Sequence, residues 1–137
     1  MTLCDAGPLI ALFDKRDPSY ARVRHAIDRV RLPLITTWPA FTEAAYFLHA
    51  TGGWPLQHQL WDLVLADEVL SIHASSRHEQ SRMQFLMEQY RDVPMDLADA
   101  SLVAAAETLR LHDILTLDSD FRIYRIGDGG TFNIIPD

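Results

Sequence analysis

The chain has 137 residues, 48% of them hydrophobic, a composition that predicts one globular domain over residues 1–137 and excludes an intrinsically disordered chain. The single cysteine, Cys4, excludes an internal disulfide and a zinc site built from several thiolates, so any metal must be bound by oxygen or histidine. The formal net charge of −7 argues against a nucleic-acid binder that relies on bulk positive charge.

Strand-like apolar runs alternate with helical patterns along the chain. The predicted strands cover residues 3–4, 34–36, 69–72, 114–117 and 132–135. The predicted helices cover residues 9–13, 19–30, 39–49, 54–65, 77–91 and 96–111. This alternation predicts an α/β fold in which helices cover both faces of a parallel sheet. No internal repeat, low-complexity tract or domain linker interrupts the pattern.

The chain shows no sign of a membrane or secretion signal in its sequence. Residues 1–5 lack the basic region and long apolar stretch of a signal peptide. No apolar run approaches the roughly 20 residues that a membrane-spanning helix needs. We therefore expect a cytoplasmic protein that does not associate with membranes.

Carboxylates recur at the ends of the apolar segments. Asp5 follows directly on the first predicted strand, and Asp118 follows directly on the strand predicted at 114–117. Glu43 lies near the start of the third predicted helix, and Asp99 lies in the first turn of the helix that Asp96 begins. Since ligands of parallel sheets bind beyond the carboxyl ends of the strands, Asp5 and Asp118 are expected to meet there. This distribution indicates a divided metal site.

Oxygen ligands of this kind suit Mg²⁺ and Mn²⁺, which prefer carboxylates and water. A cation bound in this way activates water for attack on a phosphodiester and stabilises the leaving oxygen, so no protein nucleophile is required. Four acids are enough for one ion or two, and the sequence leaves that number open.

Several segments resemble one known family. Residues 94–106, which include Ala98-Asp99-Ala100, and residues 116–121, which include Thr116-Leu117-Asp118-Ser119-Asp120-Phe121, resemble the C-terminal half of the PIN-domain nucleases, especially the VapC-type toxins. The resemblance extends to residues 5–12 and 42–44 and so covers nearly the whole chain. Gly7 departs from the pattern, because many members carry Ser or Thr two residues after the first Asp.

The resemblance implies a site and a cofactor. Asp5, Glu43, Asp99 and Asp118 would be the catalytic acids. Asp5 and Asp99 would ligate Mg²⁺ directly, with Mn²⁺ able to substitute, while Glu43 and Asp118 would bind a second ion or orient water. Asp120 would support the metal site. Asp96 competes with Asp99 for the third position, but the match of Ala98-Asp99-Ala100 to the family favours Asp99 and leaves Asp96 as a helix cap.

The resemblance also implies a fold and a function. The fold would be PIN-like, a three-layer α/β/α arrangement around a mostly parallel sheet of about four or five strands. The activity would be that of a Mg²⁺-dependent endoribonuclease, the toxin of a type II toxin–antitoxin pair. Its partners would be an RNA substrate, a cognate antitoxin that covers the acidic groove, and a second copy in a homodimer.

Other interpretations stay open at this point. The chain could be a housekeeping RNA-processing nuclease of the same fold, or a catalytically silent module whose acids bind a basic protein segment. A phosphatase that uses Asp118 as nucleophile would leave Glu43 and Asp99 unexplained. Taken singly, the acids could be helix caps, turn residues or solvated charges. Eleven of the 12 Lys and Arg residues are arginines, and several are candidate RNA contacts, although a solvated face or an ion pair is the simpler role for each. These candidates are Arg22, Arg24, Arg29, Arg77, Arg82, Arg122 and Arg125.

Overall fold

The computed structural model describes residues 1–66, 68–127 and 129–136. It has five β-strands, which are β1 Thr2–Cys4, β2 Leu34–Thr37, β3 Leu70–His73, β4 Asp113–Leu115 and β5 Asn133–Ile135. Its α-helices among these residues are α1 Ala6–Phe13, α2 Tyr20–Ile27, α3 Trp38–Gly52, α4 Trp54–Ala66, α5 Arg77–Gln89 and α6 Leu97–Leu109. A 3-10 helix, Ser119–Arg122, lies between β4 and β5. No helix in the described part of the chain is long and apolar enough to cross a membrane.

The five strands form one parallel sheet in the order β3-β2-β1-β4-β5. From β1 the chain builds outward in one direction to β2 and β3, and then crosses back to place β4 on the other side of β1. The order therefore reverses between β1 and β4, and in such sheets the crevice at the reversal is the usual ligand site. The fold class predicted from the sequence is confirmed, with five parallel strands.

Two apolar cores cover the two faces of the sheet. Neighbouring residues of β2 illustrate the division, because Leu34 packs into the core formed with α1, α3 and α4, whereas Ile35 packs into the core formed with α5 and α6. Side chains alternate between the faces of a strand, so a strand covered on both sides is apolar throughout. The result is a three-layer arrangement that leaves the ends of the strands accessible.

Acidic side chains cap the starts of α1 and α6, and a glycine ends α3. Asp5 caps α1, and its Oδ1 accepts a hydrogen bond of 2.8 Å from the Ala6 amide. Asp96 caps α6 in the same way through the Asp99 amide. Gly53, with φ of 71°, ends α3 in a conformation that an L side chain rarely adopts. Two of the capping residues are also acids of interest, so the capping geometry fixes where those carboxylates lie.

One predicted boundary is wrong in a way that matters for the site. The apolar run 114–117 predicts a strand that reaches Asp118, but β4 ends at Leu115. The Thr116 amide still donates to Ile135 O at 3.0 Å, and the chain then turns into the 3-10 helix that Asp118 caps. Asp118 therefore lies on a turn beyond the strand rather than directly at its end.

Candidate metal centre and active site

Three carboxylates meet at the carboxyl edge of the sheet, where β1 and β4 lie side by side. Asp5, Asp99 and Asp118 each place a carboxylate oxygen within 4.8 Å of the other two. Asp5 and Asp99 are buried, and Asp118 is half-buried. Residues from the beginning, middle and end of the chain thus converge on one point of the fold.

Backbone pairing and one hydroxyl hold Asp5 and Asp118 together. The Asp5 amide donates to Leu115 O at 3.0 Å, which brings Asp5 next to Thr116. The Thr116 hydroxyl donates to Asp5 Oδ2 at 3.0 Å and accepts a hydrogen bond of 3.0 Å from the Asp118 amide. Thr116 therefore bridges the two acids, and this buried side chain is a part of the site that the sequence argument did not single out.

Helix α6 delivers the third carboxylate. Asp99 lies in the first turn of this helix, and its amide donates to Asp96 Oδ1 at 2.8 Å. The hydroxyl of Tyr124 donates to Asp99 Oδ2 at 2.6 Å, and both side chains are buried. Sequence reasoning missed Tyr124, because nothing in the residue pattern links it to a position 25 residues away.

The acids line a shared cavity of about 380 Å³. Its lining residues are Asp5, Ala6, Gly7, Glu43, Asp96, Asp99, Leu117 and Asp118. Glu43 and Asp96 thus face the same space as the three clustered carboxylates. Asp96 caps α6, as the sequence predicted, and its side chain also lines the cavity. Asp120 is not among the lining residues; its amide donates to Asp118 Oδ1 at 2.9 Å.

Burial and repulsion between neighbouring carboxylates disfavour the ionised forms of the acids and so raise their pKa values. Burial raises the pKa of Asp5 to about 6, although hydrogen bonds from the Ala6 amide and the Thr116 hydroxyl oppose the shift. Burial raises the pKa of Asp99 to about 8, and the charges of Asp96, Asp5 and Asp118 add to that effect. Burial and the charge of Asp96 also raise the pKa of Glu43. A cation in the cavity would relieve this repulsion.

The donor set fits a hard divalent cation. Carboxylate oxygens are the ligands that Mg²⁺ and Mn²⁺ prefer, and Mg²⁺ completes its coordination with water. Asp5 and Asp99 each have one oxygen fixed by a hydroxyl group, which is the kind of support that orients metal ligands. The triad of Asp5, Asp99 and Asp118 could therefore hold a metal ion.

Some of the candidate arginines have structural partners. Arg82 donates two hydrogen bonds, of 2.8 and 3.0 Å, to the carboxylate of Glu107. Arg125 donates from Nη1 to the backbone carbonyls of Arg122, Ile123 and Tyr124. These two side chains stabilise the fold locally, and the ion-pair role anticipated as the simpler one holds for Arg82.

Sequence comparison finds a curated relative of the chain but no matching protein-family model. Ribonuclease VapC26 of Mycobacterium tuberculosis (strain ATCC 25618 / H37Rv) is 28% identical to the chain over 137 residues, an alignment that covers 98% of the chain and 99% of that protein.

Three solved structures share the fold. The crystal structure of Mycobacterium tuberculosis VapC20, described as a sarcin-ricin loop cleaving toxin, has a TM-score of 0.81 at 12% identity and covers 88% of this chain and 92% of its own. A toxin–antitoxin complex from Klebsiella pneumoniae has a TM-score of 0.67 at 22% identity, with coverages of 88% and 90%. VapBC2 from Rickettsia felis, bound to a promoter DNA fragment, has a TM-score of 0.65 at 11% identity and covers 97% of each chain. The predicted resemblance is thereby confirmed: the chain has the PIN-like fold of the VapC proteins and is similar over nearly its full length to a VapC ribonuclease.

Proposed function

We propose that the chain is a metal-dependent endoribonuclease and the toxin of a type II toxin–antitoxin pair. The observation that carries the proposal is the group of three carboxylates, two of them buried, within 4.8 Å of one another at the reversal point of the sheet. Full-length similarity to a ribonuclease and the fold shared with a toxin that cleaves the sarcin-ricin loop support the same activity.

The acids fall into three groups in the proposed mechanism. Asp5, Asp99 and Asp118 would hold Mg²⁺, or Mn²⁺ in its place, because each places an oxygen within 4.8 Å of the other two. Glu43 faces the same cavity and orients water or binds a second ion. Asp120 supports the site through its amide, which fixes the Asp118 carboxylate. When bound, the ion supplies positive charge opposite the phosphodiester and lowers the pKa of water for the attack on phosphorus.

The shape of the site favours exposed phosphates in RNA. Glu43 and Asp96 line both the acidic cavity and a neighbouring apolar groove with Trp38 and Tyr46, so the acids lie in an open depression rather than a closed chamber. Unpaired loops present their phosphates and bases to such a surface more readily than an A-form duplex does. We therefore propose single-stranded or loop RNA as the substrate.

We propose a cognate antitoxin as a partner that binds at the acidic cavity. Two of the structures that share the fold are toxin–antitoxin complexes or contain both proteins of such a pair. A basic segment of a cognate antitoxin would complement the acidic cavity and block it.

Several large apolar side chains are exposed, and we propose that they are covered in a homodimer. They include Tyr46, Phe47 and Phe85, which are 69%, 46% and 59% exposed. Light scattering of the purified protein tests the dimer. We propose that the toxin and its antitoxin are located in the cytoplasm, together with the RNA substrate.

Cleavage assays on purified protein test the activity. Structured RNAs are incubated with wild type, Asp5→Asn and Asp99→Asn, with Mg²⁺, Mn²⁺ or EDTA. Wild type is expected to cleave only with a divalent ion, and both variants are expected to lose cleavage while keeping a folded circular dichroism spectrum. Asp62→Asn is the matched control, because this exposed residue of α4 loses the same charge away from the cavity. Full activity in either site variant would overturn the assignment.

Growth experiments distinguish a toxin from a housekeeping nuclease. Expression of the chain alone is expected to arrest growth, and co-expression of the neighbouring gene is expected to relieve the arrest. Arrest that persists in Asp5→Asn would count against nuclease action, and the absence of any arrest despite cleavage in vitro would favour the housekeeping role.

A further inference from the structure

Tyr124 has an unusual position for a residue outside the acidic set. Its side chain is fully buried, and its hydroxyl donates to Asp99 Oδ2 at 2.6 Å. Once a cation holds Asp99 in its ionised form, such a short O–H···O⁻ bond would be among the stronger hydrogen bonds in proteins. Oδ1 of Asp99 has no hydrogen-bond donor among residues 1–66, 68–127 and 129–136, so one oxygen is fixed and the other is available.

The ring of Tyr124 is held rigidly by aromatic neighbours. Phe121 packs edge-on against it with ring centroids 5.2 Å apart, and Tyr90 packs at 5.1 Å. The Tyr124 amide also donates to Asp120 O at 3.3 Å, just after the turn that Asp118 caps. Tyr124 therefore connects the segment that carries Asp118 to the helix that carries Asp99.

We propose that Tyr124 is a positioning residue that orients the Asp99 carboxylate toward the metal ion. The inference rests on the proposed function, since it requires a cation at the acidic triad. With Oδ2 engaged by the hydroxyl, rotation of the carboxylate is restricted, and Oδ1 would be left to bind the ion. Partners that orient metal ligands in this way are typically worth 10- to 100-fold in affinity or activity.

A purely structural role would give a different result, and the same aromatic cluster supplies the control. Tyr90 lies against Tyr124, but its hydroxyl accepts a hydrogen bond from the Arg125 amide at 3.1 Å and does not contact an acid of the site. Tyr124→Phe and Tyr90→Phe each delete one hydroxyl and keep the ring. If the hydroxyls only stabilise the fold, the two variants will behave alike toward metal ions.

The test is Mn²⁺ binding to wild type and both variants, measured by calorimetry and by electron paramagnetic resonance of the free ion. Tyr124→Phe is expected to weaken Mn²⁺ binding by about 10- to 100-fold, whereas Tyr90→Phe keeps the wild-type affinity. Wild-type affinity in Tyr124→Phe, with RNA cleavage intact, would overturn the positioning role and leave the proposed function standing. Failure of wild type itself to bind Mn²⁺ would overturn both.

A second measurement needs no amino-acid substitution at Tyr124. The chain has four tyrosines, and uniform 3-fluorotyrosine labelling gives each a fluorine resonance, with Tyr124 assigned by elimination through Phe variants of the other three. Saturating Mg²⁺ is expected to shift the Tyr124 resonance more than that of Tyr90, and Asp99→Asn is expected to abolish that shift. A Tyr124 resonance that stays in place as Mg²⁺ saturates would refute the proposal.

Discussion

In the metal-free protein, the effect of replacing Asp5 with Asn should depend on pH. The free energy of unfolding of the variant, relative to that of wild type, should be higher at pH 8 than at pH 5. Burial raises the pKa of Asp5 from its ordinary value of 3.8 to about 6. The folded state therefore holds a proton that the unfolded chain releases over this range, and wild type loses stability as the pH rises from about 4 to about 7. A shift of about two units at about 1.36 kcal/mol each gives a loss of about 3 kcal/mol.

The Asn variant has no proton to lose at this position, so its stability should not fall in this way. The free energies of unfolding of the two proteins are also expected to differ by an amount that does not depend on pH. The reason is that the Asn amide group faces the Thr116 hydroxyl, which donates to Asp5 Oδ2 in wild type. The informative quantity is the change in the difference between the two proteins with pH. That difference should move by about 3 kcal/mol in favour of the variant between about pH 3 and pH 8, with about half of the change complete at about pH 5.

Urea unfolding in EDTA at several pH values measures this difference, with Asp62→Asn as the exposed control. A second series adds Mg²⁺ at pH 8. Wild type should gain about 2.7 kcal/mol when Mg²⁺ is present at 100 times its dissociation constant, and Asp5→Asn should gain much less. Parallel plots of the free energy of unfolding against pH for wild type and Asp5→Asn would refute the electrostatic reasoning. They would mean that folding does not raise the pKa of Asp5.

Three further variants test individual contacts. Thr116→Val keeps the shape of the side chain but removes the partner of the Asp118 amide, and urea unfolding should show a loss of about 1–3 kcal/mol. Asp96→Ala removes the cap of α6 and should cost about 1 kcal/mol near pH 5. The same variant should cost less near pH 8, because the negative charge of Asp96 adds to the raised pKa of Asp99. Arg82→Ala breaks the bidentate pair with Glu107, so it should lower the melting temperature and leave the KM for RNA unchanged.

Much of the architecture could be predicted because it depends on local patterns. Alternating strand and helix signals identified the parallel sheet, and a carboxylate directly after the first apolar run placed Asp5 at the sheet edge. The end of β4 could not be found in this way. Thr116 and Leu117 continue the apolar run, but the backbone turns at that point because Asp118 caps the 3-10 helix, and hydrophobicity does not report such a turn.

The supporting hydroxyls were beyond the reach of sequence patterns. The contact of Tyr124 with Asp99 depends on the path of the chain after the 3-10 helix and on aromatic packing against Phe121. Thr116 meets Asp5 across 111 residues of sequence, through pairing of β1 with β4. Resemblance to a family selected the candidate acids, whereas only the three-dimensional contacts reveal the hydroxyl groups bonded to them.

The central place of β1 in the sheet has a consequence for how the protein is made. Asp5 is synthesised more than 100 residues before β4, and the side of β1 that pairs with β4 has no strand beside it until residues 113–115 have been synthesised. Thr116, Asp118 and Tyr124 follow those residues. A nascent chain therefore cannot complete the acidic site until β4 and the residues after it have been synthesised, and a chain truncated before residue 113 lacks Thr116, Asp118 and Tyr124.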